Sequence, residues 1–264
     1  MPAEIADILQ RIVAQRRQRI AERTDGVAAI AVAAEQATAE KSLSFVEALR
    51  NVSGRRIIAE VKLGSPRLGS LVGRVDPEQQ ARLYAEHGAA ALSVVVEPDF
   101  FHGRYQLLAR CRAASGLPAL AKDFIVDTVQ LDWAQAAGAS AILLIAALYS
   151  RNELHRYADA AEARGLAVLV ETHNSEDLAK LAGRDWPLVG VNNRDLRTFA
   201  VDLAHSERLA AQLPAGALKV AESGLDQAAS LTRLEEAGFD AFLIGESLLL
   251  ASDPGAKLRQ LRGD

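Results

Sequence analysis

The stretch RIIAEVKLGSPRLGSLVGRVDPEQQARLYAEHGAAALSVVVEPD (Arg56–Asp99) holds one full period of the pattern that decides the fold. A short apolar run, Arg56–Lys62, leads into a Gly-rich loop. A charged Ala/Leu-bearing segment follows, and after Gly88 a second apolar run begins at Ala91 and extends to Glu97. The same alternation continues through Pro118–Phe124, Ala141–Ala147, Ala167–Thr172, Leu188–Asn192, Ala217–Ser223 and Ala241–Ser247, and most starts lie 21 to 29 residues apart. Short continuous apolar runs separated by helix-length polar stretches imply parallel strands buried on both faces. Gly116, Gly138, Gly165, Gly216 and Gly238 stand shortly before later runs, as Gly88 does, where a helix C-cap or αβ turn favours glycine.

Eight such units in about 200 residues fit a (β/α)8 barrel. An open doubly wound sheet would more often carry a GxGxxG turn after its first strand, and none is present. The expectation is therefore an α/β chain forming one TIM-barrel domain over 1–264, with the barrel in 55–264 and an N-terminal helical extension in 1–50. Ile5, Ile8, Leu9, Ile12 and Val13 recur at helical spacing and predict an amphipathic helix over 3–23. Ser44–Arg50 reads as a second short helix with Phe45, Ala48 and Leu49 on one side. The Ala-rich residues 27–39 are ambiguous.

Composition narrows the function classes. The 264 residues are 50% hydrophobic and 24% charged, which is globular and not disordered. A formal net charge of −4 argues against nucleic-acid or anionic-membrane partners. The longest apolar runs, Val27–Ala34 and Ala141–Tyr149, fall well short of the ~20 residues of a membrane span. No signal-peptide core stands near the N-terminus, so a cytoplasmic protein is expected. The single cysteine, Cys111, falls in a helical stretch. It forms no intramolecular disulfide, and no Cys/His ligand spacing suggests a metal. A monomer or weak homodimer is expected.

The active face of such a barrel lies at the C-terminal ends of its strands. Those ends carry Glu60 and Lys62, then Glu97, Lys122, Glu171, Asn192 and Arg194, then Glu222. Strand alternation puts Glu60 with Lys62, Lys122 with Phe124, and Asn192 with Arg194 on common faces. Only six of the 30 basic residues are lysine. Two of the six, Lys62 and Lys122, stand inside apolar runs at strand ends. Lysine exchanges a proton near neutral pH when its surroundings tune it, and arginine does not. Several charges buried together add little stability, so Glu60, Lys62, Lys122 and Glu171 as a set point to catalysis.

Ser223–Gly224 after the seventh run and Gly245–Glu246–Ser247 after the eighth stand where barrels bind phosphate through backbone N–H groups. The Glu246 side chain is expected to point away from that ligand. The loop Leu63–Pro77 is long for a βα connection and reads as a lid, with Ser65–Pro66 as a defined turn and Arg67 facing an anion or water. Phe101 and Phe124 lie near the mouth, where an aromatic substrate ring would fit. His87, His155 and His205 read as surface residues, and His102 and His173 follow strands near the mouth.

The segments IIAEVK-xx-SP (Ile57–Pro66), LSVVVEPDFFHG (Leu92–Gly103), KDFIVD (Lys122–Asp127), ILLIAAL (Ile142–Leu148), VLVETH (Val168–His173), VGVNNRDL (Val189–Leu196), VAESG (Val220–Gly224) and FLIGESL (Phe242–Leu248) together resemble indole-3-glycerol-phosphate synthase, over essentially the whole chain. That resemblance implies a carboxy-lyase of tryptophan biosynthesis. It would close, decarboxylate and dehydrate 1-(o-carboxyphenylamino)-1-deoxyribulose 5-phosphate, a phosphorylated aromatic small molecule, with no cofactor and no metal. By resemblance, Lys122 is the acid for ring closure, Lys62 the acid for loss of the hydroxyl, and Glu171 the base. Glu60 and Glu222 hold the charge network, and Asn192 and Arg194 hold the substrate carboxylate or hydroxyls. Ser65 and Pro66 belong to the closing loop. Phe101, Phe124, Leu143 and Leu196 contact the anthranilate ring, while Ser223, Gly224, Gly245, Glu246 and Ser247 cradle the phosphate. The N-terminal helices would partly cover the mouth. Where the family usually reads SPSKG, this chain reads SPRLG (Ser65–Gly69), without the loop lysine. The alternatives are another phosphate-binding barrel enzyme, such as an isomerase, or a non-catalytic paralogue.

Overall fold

The computed structural model describes residues 7–22, 44–195, 198 and 200–264. Eight parallel strands among them form a closed barrel: β1 (Arg56–Val61), β2 (Ala91–Val95), β3 (Ala119–Lys122), β4 (Ala141–Ile145), β5 (Ala167–Thr172), β6 (Leu188–Asn192), β7 (Leu218–Glu222) and β8 (Ala241–Ile244). Each strand pairs with its sequence neighbours, and β1 closes the ring on β8, with Ile58 opposite Leu243. The helices are α1 (Asp7–Ala21), α2 (Phe45–Asn51), α3 (Pro77–Glu86), α4 (Tyr105–Ser115), α5 (Val129–Ala136), α6 (Arg151–Glu162), α7 (Ser175–Ala179), α8 (Ala204–Ala210), α9 (Ala228–Glu236), α10 (Glu246–Leu249) and α11 (Pro254–Arg262). No described helix is long and apolar enough to cross a membrane.

Helix starts follow from local chemistry. The Asp76 carboxylate accepts from the N–H groups of Glu78 and Gln79, and Pro77 gives up no useful donor at the first position of α3. Ser150 and Glu153 form a reciprocal capping box at α6. Alternation along the strands then divides the core in two. Ile58, Leu120, Leu143, Leu169, Leu188, Val220 and Leu243 fill the barrel interior. Ile57, Ala59, Leu92, Ile142, Val168, Val189 and Phe242 face the helical shell.

The N-terminal extension serves both ends of the barrel. Phe45 and Leu49 of α2 are fully buried in the interior cluster beside Ala91, Ala141 and Ala241, which begin their strands. Arg56 Nε donates to Leu49 O at 2.7 Å, fixing α2 beneath the first residue of β1. Helix α2 thus plugs the floor, whereas α1 lies at the mouth. The helix expected over 3–23 is described over Asp7–Ala21. Residues 27–39, left ambiguous by the sequence, fall outside the described residues.

Two expectations need correction, and the loop after β1 gains a definite form. The apolar runs overrun the strands at their C-terminal ends: β2 stops at Val95, β3 at Lys122 and β8 at Ile244. Past β2 the Glu97 carboxylate accepts N–H bonds from Asp99, Phe100 and Phe101 and turns the chain away from the sheet. The loop after β1 is a small hairpin, with Gly64–Ser65 antiparallel to Gly69–Ser70 and Pro66–Arg67–Leu68 at its tip. The Ser65 hydroxyl accepts from Leu68 N–H across that tip. His87, His155 and His205 are half-buried and not surface residues. His87 Nδ1 pairs with Leu83 O, and His155 Nε2 pairs with Lys180 O beside the edge of Trp186. Cys111 is buried within α4, as its helical placement suggests.

Candidate active site

The C-terminal end of the barrel opens into a cavity of about 610 Å³, a size that suits a drug-sized ligand. Glu60, Lys62, Lys122, Glu171, Asn192 and Arg194 line it. So do Ser65, Pro66, Phe101, Phe124 and Leu143, and the loop residues Ser223, Gly224, Gly245, Glu246 and Ser247. Glu222 does not line the cavity. It lies beneath the floor and is 1% exposed. Leu196 falls outside the described residues.

Glu60 is the hub. Its Oε1 accepts from Lys62 Nζ at 2.7 Å, two residues along the same strand face. Its Oε2 accepts from Lys122 Nζ at 3.1 Å, across the barrel from β3. Burial alone would raise the Glu60 carboxyl, but the two ammonium groups outweigh it and hold the group at about 2. Lys122 has the converse balance. Burial disfavours its charge, yet Glu60, Glu222 and Glu171 together raise its pKa above the ordinary lysine value. Glu222 Oε2 lies 3.7 Å from Lys122 Nζ, and neither Glu222 oxygen accepts a hydrogen bond from a protein donor. Burial, and then the neighbouring Glu171 charge, push Glu222 well above the usual carboxylate range. The result is two ammonium groups held over an ionised carboxylate, with a second carboxyl pair below and beside them.

Glycines make room for these carboxyls. A Cβ at Gly245 would lie 2.3 Å from Glu60 Oε1, and one at Gly190 would lie 2.2 Å from Glu222 Oε1. Asn192 Oδ1 accepts from Arg194 N–H at 3.0 Å and so shapes the turn that aims Arg194 at the cavity. The adjacent Asn193 is buried, and its Nδ2 donates to Glu222 O at 3.0 Å, tying the ends of β6 and β7 together.

On the phosphate side, Ser223 (φ +68°) and Gly224 (φ +75°) both adopt left-handed backbone. For serine this is uncommon and marks a turn held open by its surroundings. Ser247 Oγ donates to Leu225 O at 2.7 Å and links the turns after β7 and β8. The helix opened by Gly245–Glu246–Ser247 is only one turn, α10, so individual N–H groups matter here more than a macrodipole. Contrary to expectation, the Glu246 side chain does not point away but lines the cavity: its carboxylate is ion-paired with Arg67 of the β1 hairpin tip, and its other oxygen lies 3.7 Å from Arg194 Nη2.

The opposite wall is apolar. Phe101 and Phe124 pack with ring centroids 6.1 Å apart, and Leu143, Ile8, Leu9 and Ile12 complete the wall. The last three belong to α1, which is fastened by two arginines. Arg16 is fully buried, with its Nη2 2.6 Å from Asp123 Oδ2, and it sits over the rings of Tyr105 and Trp133. Tyr105 Oη and Gln130 Nε2 also donate to Asp123. Arg19 makes a two-pronged pair with Asp99. Sequence reasoning missed Arg16 and Asp123. The signal was present, because Arg16 falls four residues after Ile12 on the predicted apolar stripe, and Asp123 directly follows Lys122. His173 Nε2 lies 3.3 Å from Glu171 Oε1, yet the ring does not line the cavity, and His102 is exposed. Among the described residues, no group of three or more His, Cys, Asp or Glu side chains is arranged to hold a metal ion.

Known proteins resemble this chain in fold and in sequence. Among solved structures, the thiamine phosphate pyrophosphorylase of Pyrococcus furiosus superposes with a TM-score of 0.58 at 14% identity, over 79% of this chain and 94% of its own, a likeness of fold alone. Indole-3-glycerol phosphate synthase of Azospirillum brasilense is 42% identical over 260 residues, covering 97% of this chain and 99% of its own length. The synthase of Dechloromonas aromatica is 40% identical with the same coverage. The family model described as indole-3-glycerol phosphate synthase matches residues 9–261, and the chain belongs to that family.

Proposed function

We propose that this barrel converts 1-(o-carboxyphenylamino)-1-deoxyribulose 5-phosphate to indole-3-glycerol phosphate, carbon dioxide and water. Family membership supports the reaction. The observation that carries the residue roles is the single ionised Glu60 holding both Lys62 and Lys122 over the cavity. Lys122 protonates the ketone oxygen as the carboxylate-bearing aromatic ring carbon attacks the ketone carbon. The carboxylate then leaves as carbon dioxide and the benzene ring regains its aromaticity. Lys62 delivers a second proton to that oxygen, which departs as water. Glu171 takes the proton released as the new five-membered ring becomes aromatic. Two protons are given and one is recovered, so each turnover draws one proton from solvent, as loss of an ionised carboxylate as neutral carbon dioxide requires.

Glu60 and Glu222 position the lysines and Glu171. The phosphate rests against the backbone of Ser223, Gly224, Gly245, Glu246 and Ser247, and Arg194 and Asn192 meet the substrate carboxylate or hydroxyls. Phe101, Phe124 and Leu143 hold the ring with α1, and Leu196 keeps the ring-contact role that the family resemblance gives it. The reading extends to one domain acting in the cytoplasm as a monomer or weak homodimer, without nucleic acid or membrane. The net charge of −4 supports it.

The test is to mix the protein with the substrate and follow indole fluorescence. A steady protein-dependent rise is expected. Lys122→Ala should cut turnover by about 10²–10⁴-fold, the usual worth of a placed general acid, while inorganic phosphate still binds. Near-normal turnover in that variant would overturn the role of Lys122. Phosphate binding without any turnover in the wild-type protein would favour a non-catalytic paralogue.

A further inference from the structure

The ion pair between Arg67 and Glu246 bridges two rims of the mouth. Arg67 stands at the tip of the β1 hairpin and Glu246 in the turn after β8, beside Ser247 and opposite Ser223–Gly224. The second Glu246 oxygen faces Arg194 of the β6 loop at 3.7 Å. One carboxylate thus lies between two guanidinium groups from two other loops, and all three side chains line the cavity. A carboxylate there satisfies the demand that a phosphate ester would satisfy, and it also repels that ester.

The Arg67–Glu246 pair is poorly suited to be a structural brace. The Arg67 side chain is 50% exposed and the Glu246 side chain 32%. Exposed pairs of this kind are weak and screened by salt, so an arriving dianion breaks this one at little cost. The hairpin beneath Arg67 is held independently by its ladder and by the Ser65 hydroxyl, so the tip keeps its shape when the guanidinium changes partner. Guanidinium also grips phosphate oxygens in a two-pronged manner.

We propose that Glu246 is a resident counter-ion for Arg67, and that the substrate phosphate displaces it and takes Arg67 as a side-chain ligand. Arg67 then clamps the phosphate from the lid side, and Glu246 sets the affinity threshold for phosphorylated ligands. The inference rests on the phosphate placement proposed above.

Calorimetric titration of inorganic phosphate into the wild-type protein, Glu246→Gln, Arg67→Ala and the double variant tests it. Glu246→Gln should bind phosphate about three- to tenfold tighter, with a lowered KM for the phosphorylated substrate. Arg67→Ala should weaken phosphate by a similar factor. In the Arg67→Ala background the gain from Glu246→Gln should shrink, giving a non-zero coupling in the cycle. Unchanged or weaker phosphate binding in Glu246→Gln, or no effect of Arg67→Ala, would overturn the proposal and leave the pair as a brace. If the wild-type protein binds phosphate and the variants match it, this inference alone fails. If neither the wild-type protein nor the variants bind phosphate, the phosphate placement fails with it.

Discussion

At the scale of single residues, the site is built from what side chains leave empty as much as from what they supply. Gly190 and Gly245 are not among the positive-φ glycines; at each, a carboxyl oxygen occupies the space of the missing Cβ. Gly245→Ala should push Glu60 off both lysines. We expect kcat to fall by about 10²-fold, the usual consequence of a misplacement near 1 Å, with a melting temperature within a few degrees of the parent. Paired kinetics and thermal denaturation check this, and an unimpaired kcat would contradict it. The sequence made the pairing of Glu60 with Lys62 legible, because alternation along a strand is local. It did not show that Gly245 faces Glu60, because that contact arises only when β8 closes on β1. Gly245 therefore read as a phosphate residue alone. The depth of Glu222 was hidden for a related reason: its height in the barrel depends on the stagger between β6 and β7, where Asn192 pairs with Glu222.

At the scale of elements, the two N-terminal helices divide their labour between opposite ends of the barrel. Their existence was readable from apolar spacing, but their docking sites were not, since an amphipathic stripe says that a face is covered without saying by what. The buried Arg16 settles the place of α1. Arg16→Leu leaves Asp123 charged and buried, with Tyr105 and Gln130 as its remaining side-chain donors. Breaking such a pair from one side costs about 3–5 kcal/mol. Helix α1 should loosen and take Ile8, Leu9 and Ile12 away from the ring wall. A raised KM together with faster amide exchange in 7–21 is expected, and protection in α1 equal to that of the parent would contradict the assignment. Strand ends were the least legible boundaries. Apolar side chains continue past the last ladder bond wherever they line the mouth, so composition alone does not mark where pairing stops.

At the scale of the whole molecule, the charged mouth links stability to pH. The Glu60 carboxyl lies at about 2 in the folded protein against 4.5 ordinarily, because its two ammonium neighbours outweigh burial. A depressed carboxyl stabilises the fold fully above its unfolded value, and that contribution fades as pH falls from about 4.5 toward 2. Urea midpoints measured between those limits should decline less steeply in Glu60→Gln than in the parent, by up to one proton's worth of slope. Parallel slopes would show that Glu60 is not held ionised. Lys122, raised above the ordinary lysine value, acts at the other extreme. Its contribution is complete below its unfolded value and is lost only as pH climbs through the raised one.

The seam between β1 and β8 has a further consequence, in the life of the nascent chain. Ile58 finds its partner Leu243 only after 184 intervening positions have been made. Until β8 emerges from the ribosome, the growing sheet has two raw edges, each with unpaired N–H and C=O groups and apolar side chains on both faces. Such edges recruit strands from neighbouring molecules. The hazard of misassembly therefore peaks late in translation, just before β8 can close the ring on β1.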